Sequence, residues 1–262
     1  MLPVAALVDS PAALGALRRT YPKGMGPIRG CRSPGALVDL VEEEPVDAVV
    51  LGTSARATVD WNWLQTRFPT VPVIVYGTIR PDQGAALLEF DRRGVRAIAV
   101  EGIDDPQVGE VVARNGYLAA RRAALAGVPK LLRLTEPLQG RAFDLLVGSI
   151  GPAPTTAVIA RKLRVSREHL SRQFGAGGAP NLKRVIDLLR LLVARDLLEN
   201  PGRSVTAVVE IMGYASARHF RSTIRRLVGL EPPGLLAVSP ADLVRRFLAA
   251  GARSRAGGGR VG

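Results

Sequence analysis

The chain has 262 residues, 47% of them apolar, with 36 Lys/Arg against 23 Asp/Glu and a formal charge of +13. That length favours about two domains with real cores. No apolar run approaches the ~18–20 residues of a membrane span, and the start lacks the pattern of a signal peptide. Cys31 is the one cysteine, which excludes an intrachain disulfide and a cysteine-based zinc site. The expectation is a cytoplasmic protein without a membrane partner. Residues 1–127 hold 14 basic and 14 acidic side chains, whereas residues 128–262 hold 22 and 9, a net charge of +13. Excess charge confined to one half points to a phosphate-bearing partner for that half.

In chain order, residues 1–126 alternate short β-rich runs with helical ones. Strands are expected at Val4–Val8, Pro27–Cys31, Ala48–Leu51, Val73–Tyr76 and Val95–Val100. Helices are expected at Ala12–Thr20, Gly35–Glu43, Trp61–Phe68 and Gln83–Arg92, with a last one from Gln107 towards Ala126. Asp105 would cap that last helix, and Pro106 would open it. Five strands alternating with five helices imply a doubly wound parallel sheet. Asp47 reads as a solvated turn acid and Asp9 as a strand-end turn residue. Trp61 and Trp63 lie ~200° apart on a helix, so at least one belongs to the core.

The order and lengths of these elements resemble the receiver domain of bacterial response regulators. The resemblance implies an acid pair for Mg²⁺ after the first strand and an Asp acceptor after the third. It also implies a Ser/Thr after the fourth strand and a Lys after the fifth. Here those places read Asp9-Ser10, Gly52-Thr53, Gly77-Thr78 and Glu101-Gly102. One acid, no acceptor and a Glu in place of the Lys make a receiver-like fold without phosphotransfer. No Ser/His/Asp set, carboxylate pair or GxGxxG loop suggests catalysis, a cofactor or a metal.

The helix from Gln107 could connect the domains or form a dimer seam. Residues 128–135 read as a linker, and Pro137–Ile150 as a helix packing Leu138, Phe143, Leu145, Leu146 and Ile150. Thr156 to Phe174 reads as two helices around a turn. Val158, Ile159 and Leu163 are the inner face of the first; Ser166 caps the second; Leu170 and Phe174 anchor it. Leu182 to Leu198 carries a helical apolar stripe and, at 1.5 Å per residue, runs roughly 25 Å. Val205 to Val228 repeats the two-helix pattern, with Gly213 in the turn, Ser216 as cap and Phe220, Ile224 and Leu227 inside. Ser166 and Ser216 stand 50 residues apart. Beyond Pro240 lies a short amphipathic piece with Leu243, Val244, Phe247 and Leu248, then a basic Gly/Arg-rich tail without expected order.

A helix, a tight turn and an Arg-bearing helix is the arrangement that enters a DNA major groove. In the second copy Gly213-Tyr214-Ala215-Ser216, Phe220 and Gly229-Leu230-Glu231-Pro232 follow a G-[FY]-x-S, inner Phe, G-x-x-P pattern. Ala160, Leu163, Val165, Ser166, Leu170, Arg172 and Phe174 follow A-x-x-L-x-[VL]-S-x-x-x-L-x-R-x-F. Arg190-Leu191, Ala194 and Leu197-Leu198 follow the linker-helix pattern. Over roughly Thr135 to Val238 the chain resembles the AraC/XylS family of bacterial transcription regulators. It departs at Gly175-Ala176-Gly177-Gly178, where the family has a basic helical end, so the first recognition helix is expected to end early.

The expected domains are thus 1–127 (receiver-like α/β, no phosphoacceptor), a linker at 128–135, an all-α DNA-binding domain at 136–240 and a tail at 241–262. The expected function is sequence-specific DNA binding in transcription regulation, with the protein on the nucleoid when bound. The family resemblance implies base reading by Glu168, Ser171 and Arg172, and by Ala217, Arg218 and Ser222. Arg167, Arg221 and Arg225 reach phosphates, as long basic side chains at helix edges do. Double-stranded DNA is the partner. RNA polymerase, a second copy or another protein at the first domain would be further ones. The rival readings are a small-molecule-binding or enzymatic α/β domain with an accessory DNA module, a phosphorylated response regulator, and an architectural DNA binder.

Overall fold

A computed structural model describes residues 1–54, 58–79, 84–175 and 178–257; for 84–86, 175 and 252–257 it describes the backbone alone. The chain divides into two compact units, Met1–Ala120 with Asn200–Gly202, and Arg121–Glu199 with Arg203–Gly262.

The first unit alternates β1 (Val4–Leu7), α1 (Pro11–Thr20), β2 (Ile28–Gly30), α2 (Pro34–Glu43), β3 (Ala48–Leu51) and α3 (Trp61–Arg67). It continues with β4 (Val73–Gly77), α4 (Gly84–Arg92), β5 (Ala97–Val100) and α5 (Val108–Asn115). All four strand pairings are parallel, in the order β2-β1-β3-β4-β5. This is the order of flavodoxin-like and receiver folds, whose sites form at the C-terminal strand ends beside the switch from β1 to β3. The central strands β1, β3 and β4 are buried throughout, as continuous apolar runs between two helix layers must be. One layer packs Ala13, Leu17, Val108 and Val112 against the sheet; the other packs Leu37, Val41, Leu64 and Phe68. Ser10 and Ser33 cap α1 and α2 ahead of a Pro at the first helical position, and Asp60 caps α3. Trp61 is buried and Trp63 half-buried, in line with their separation around the helix.

The expected long helix from Gln107 is two helices, α5 and α6 (Tyr117–Ala124), broken at Gly116. Asp47 explains the break and corrects the reading of that residue as a solvated turn acid. It is buried; its carboxylate accepts from Leu118 N–H at 2.8 Å and Tyr21 Oη–H at 3.3 Å, and its carbonyl accepts from Tyr117 N–H at 2.7 Å. The carboxylate and the carbonyl of Asp47 together satisfy two of the open donors at the start of α6. A Cβ on residue 116 would lie 2.9 Å from Asp47 Cγ, so the close approach needs Gly116. Burial, reinforced by Asp47, pushes the Tyr21 phenol well above its usual range. Asp105 is not the cap of α5. It accepts from Tyr76 Oη–H at 2.6 Å and Gly102 N–H at 2.8 Å, bonds that hold its carboxyl below the usual range.

The second unit is helical: α7 (Val128–Leu131), α8 (Pro137–Val147), α9 (Thr156–Leu163), α10 (Arg167–Gly175), α11 (Leu182–Leu198), α12 (Val205–Ile211), α13 (Ala217–Val228), α14 (Pro232–Leu236) and α15 (Pro240–Gly257). Two expectations change. Much of the expected linker is α7, because Val128 and Leu132, four residues apart, both bury in the helical core. The expected tail is helical to Gly257, anchored by Leu243, Val244 and Phe247 against the same core; residues 258–262 lie outside the described ones. α11 runs through the centre. Leu188 and Leu191 are buried besides the expected stripe, so the buried face is wider than expected, while Arg184, Asp187 and Arg190 lie half-buried on the remaining side. Beside it the buried Arg121 donates to Val147 O at 3.2 Å and Leu189 O at 3.1 Å and pairs with Asp196. Among the described residues no helix is long and apolar enough to cross a membrane.

Candidate nucleic-acid interface

Two three-helix units, α8-α9-α10 and α11-α12-α13, repeat one construction. In each, the middle helix ends on a left-handed residue, Arg164 (φ +57°) or Gly213 (φ +62°). In the first turn, Arg164 N–H returns to Arg161 O and Val165 N–H to Ala160 O; in the second, Gly213 N–H returns to Glu210 O and Tyr214 N–H to Val209 O. Both are Schellman closures of the open carbonyls at a helix end. Only the second uses the glycine that this conformation favours. The opening helix of each unit then sends an arginine onto the last carbonyl of the middle helix: Arg141 of α8 to Leu163 O at 3.3 Å, and Arg190 of α11 to Met212 O. Arg190 also lies 4.3 Å over the ring of Tyr214, whose phenol burial pushes up. Neither arginine had been singled out for this role from sequence. The signal available was the matching 49-residue spacing of Arg141 to Arg190 and Leu163 to Met212. The second turn is one residue longer, by Ala215, which is why the caps stand 50 residues apart and the middle helices 49.

The third helices start in the same way. Ser166 and Ser216 side chains accept from His169 N–H at 3.1 Å and His219 N–H at 3.0 Å. Leu170 and Phe174 anchor α10, and Phe220, Ile224 and Leu227 anchor α13, all buried. At about 100° per residue the anchors leave one outward stripe on each helix. On α10 it centres on Glu168 and Arg172, with Ser171 at one edge; Arg167 opens the helix, exposed. On α13 it runs Arg218, Ser222, Arg225, with Arg221 at one edge and Arg226 and His219 at the other. Every one of these is exposed. Ala217 is half-buried against the core and presents little of itself. His169 is exposed as well, beside the buried Leu170.

Their electrostatic commitments differ. Arg225 pairs with Glu231, Nε to carboxylate at 2.9 Å, and Arg226 pairs with Asp187 of α11 at 3.2 Å. Arg225 must therefore leave or share Glu231 before it can hold a phosphate. Arg167, Glu168, Arg172, Arg218 and Arg221 make no ion pair among the described residues. α10 is described as far as Gly175; Ala176 and Gly177, on which the expected early end falls, lie outside the described residues.

At the strand ends of the first unit the groups occupy one another. The Asp9 carboxylate accepts from Thr53 Oγ1–H at 3.1 Å and Ser54 N–H at 3.0 Å. Gly52 makes room for it, since a Cβ there would come 2.6 Å from Asp9 Cγ and 2.8 Å from Asp9 N. Glu101 accepts from Ser10 Oγ–H at 2.8 Å, and Thr78 is exposed beyond β4. Among the described residues no group of three or more His, Cys, Asp or Glu could hold a metal ion. An open cavity of ≈ 640 Å³ elsewhere in this unit is lined by Asp60, Trp61, Asn62, Gln65, Glu89 and Arg93.

Residues 159–237 match the family model of a helix-turn-helix domain. No curated protein matches the chain. Among solved structures, the receiver domain of a two-component response regulator from Bacteroides fragilis is similar at 16% identity. It covers 44% of this chain and 97% of its own, with a TM-score of 0.38. FixJ from B. japonicum is similar at 12% identity over 79% of this chain and 93% of its own, TM-score 0.36. RcsB from Salmonella enterica serovar Typhimurium, bound to promoter rprA, is similar at 17% identity over 72% and 98%, TM-score 0.36. The receiver-like character of the first unit rests on its strand order and element lengths. The matched segment of the second unit is an AraC-type helix-turn-helix domain, the DNA-binding module of transcription regulators.

Proposed function

We propose that the chain is a sequence-specific transcription regulator that places α10 and α13 in major grooves of double-stranded DNA. The observation that carries this is the paired construction. Two capped helices, each following a turn in which an arginine binds the last carbonyl of the helix before it, turn a stripe of exposed charged side chains outward. Glu168, Ser171 and Arg172 read bases from α10; Arg218 and Ser222 read them from α13, with Ala217 offering at most a methyl contact. Arg suits guanine O6 and N7. Arg167 and Arg221 hold phosphates, and Arg225 does so in exchange with Glu231. RNA polymerase and a second copy, or another protein at the first unit, are the further partners. The protein works in the cytoplasm, on the nucleoid when bound, and is not an enzyme.

The first unit acts without phosphotransfer: Gly52 offers no carboxylate, and Glu101 stands where a cation would steady a phosphoryl group. The polar cavity beside Trp61 favours small-molecule sensing there as a second reading for this unit.

In vitro selection of duplexes bound by the full-length protein tests the main reading, followed by titration of two variants. Arg218→Ala should cost about 1–3 kcal/mol on the selected site and relax preference at one position. Arg221→Ala should weaken all duplexes nearly alike and lower the salt slope by about 1. Equal losses on every duplex for both variants would remove the base-reading role of Arg218. No enrichment at all would remove sequence-specific binding.

A further inference from the structure

The two recognition helices share a frame but not a charge pattern. Cap, inner anchor and outward stripe coincide at a spacing of 50, so Glu168 occupies on α10 the place of Arg218 on α13, and Arg172 the place of Ser222. α13 carries Arg218, Arg221, Arg225 and Arg226 and no acid; α10 carries Arg167 and Arg172 against Glu168. Glu168 is exposed and pairs with no described cation, although Arg172 stands one turn further on, where a Glu–Arg pair is favourable.

An outward carboxylate on a helix that enters a groove is an acceptor only. In the major groove guanine and thymine offer it acceptors, whereas cytosine N4 and adenine N6 offer donors. Adenine adds an acceptor at N7 beside its donor, so cytosine suits a lone carboxylate best. The phosphates on either side repel it whatever the sequence.

Resting on the reading of α10 and α13 as DNA-binding helices, we propose that Glu168 is an exclusion element. It selects cytosine at one position of the first half-site and lowers the affinity of α10 for every other duplex. α13 then supplies most of the non-specific attraction and α10 most of the discrimination. A bland alternative exists in the fold, because an acid in a first helical turn complements the helix dipole. That role affects stability, but it does not distinguish one base pair from another.

The test uses the full-length protein, its Glu168→Ala and Glu168→Gln variants and Arg218→Ala, titrated at one salt concentration. The duplexes are the selected site, an unrelated duplex, and a set in which each first-half-site position carries each base pair in turn. Glu168→Ala should bind the unrelated duplex tighter, by about 3- to 10-fold, roughly one surface charge interaction. At one position it should lose a cytosine preference of about 5- to 150-fold. Glu168→Gln, which adds a donor, should accept adenine there. Arg218→Ala should weaken binding instead. If Glu168→Ala weakens all duplexes alike, or keeps the preference at every position, the exclusion role is wrong while DNA reading by Arg218 stands. If the unaltered protein prefers no sequence, the reading of the helices falls and this inference with it.

Discussion

Placing an aspartate at position 52 should not make the first unit a phosphoacceptor, and it should cost stability. The Cβ alone would stand 2.6 Å from Asp9 Cγ and 2.8 Å from Asp9 N. The side chain of Asp9 can swing aside, but its backbone cannot without moving β1. Overpacking of this kind costs about 1–3 kcal/mol. Displacing the Asp9 carboxylate also breaks its bonds from Thr53 and Ser54, worth together about another 1 kcal/mol at an exposed site. A second carboxylate nearby adds repulsion. For a unit of this size about 3 kcal/mol lowers the melting temperature on the order of 10 °C. Calorimetry on the full-length Gly52→Asp and Gly52→Ala variants separates the two causes: alanine carries the clash, and aspartate carries the clash and the charge. Mass spectrometry after treatment with a small phosphodonor and Mg²⁺ should find no acid-labile phosphate on Gly52→Asp, because Glu101 still faces the site. A Gly52→Asp protein that melts with the unaltered one and takes up phosphate would show that Asp9 yields its place freely, and the reasoning would fail.

Three further outcomes concern the helical unit. Gly213→Ala places a Cβ at φ +62° and 2.8 Å from Pro152 Cγ, so it should destabilise by about 2–3 kcal/mol. Arg164→Gly, at the matching place of the first turn, should be neutral or stabilising; thermal melting of both variants decides. Arg121→Ala strips Val147 O and Leu189 O of a buried donor and Asp196 of its closest cation. Loss of a buried pair costs about 3–5 kcal/mol, and the lower end is expected because Arg195 stands 3.8 Å from Asp196. A loss under about 1 kcal/mol in chemical denaturation would mean that water replaces the guanidinium.

Legibility of the sequence followed the physics of each element. β3 and α11 lie on their expected bounds, Ala48–Leu51 and Leu182–Leu198, because burial writes an unbroken apolar run in the strand and a periodic apolar stripe in the helix. The caps Ser166 and Ser216 were readable because a side-chain oxygen before an amphipathic run has one common use. Asp47 was misread because an acid before a strand is ordinarily solvated; its partners, Tyr21 and the start of α6, are remote in sequence. Asp105 misled in the opposite way: it stood where a cap belongs and bonded to Tyr76 instead. The clamp arginines were hidden for a related reason. Their targets are backbone carbonyls, which leave no mark on composition. The helix at 128–131 and the extension of α15 were short or Gly/Arg-rich, and local preference alone assigns such pieces to coil.

α11 has two tasks, since it follows α10 in the chain and also opens the second three-helix unit. Buried over a wide face and joined to the second turn through Arg190, it gives neither unit freedom to turn alone. For a DNA-reading protein the result is a ruler rather than a hinge. DNA turns about 34° per base pair, so two extra base pairs between the contacted patches would swing one of them roughly 70° around the duplex, beyond the reach of a rigid pair of helices. Operators for such a domain must hold their two contact patches in fixed rotational phase, and spacing becomes as much a part of the recognised message as the bases themselves.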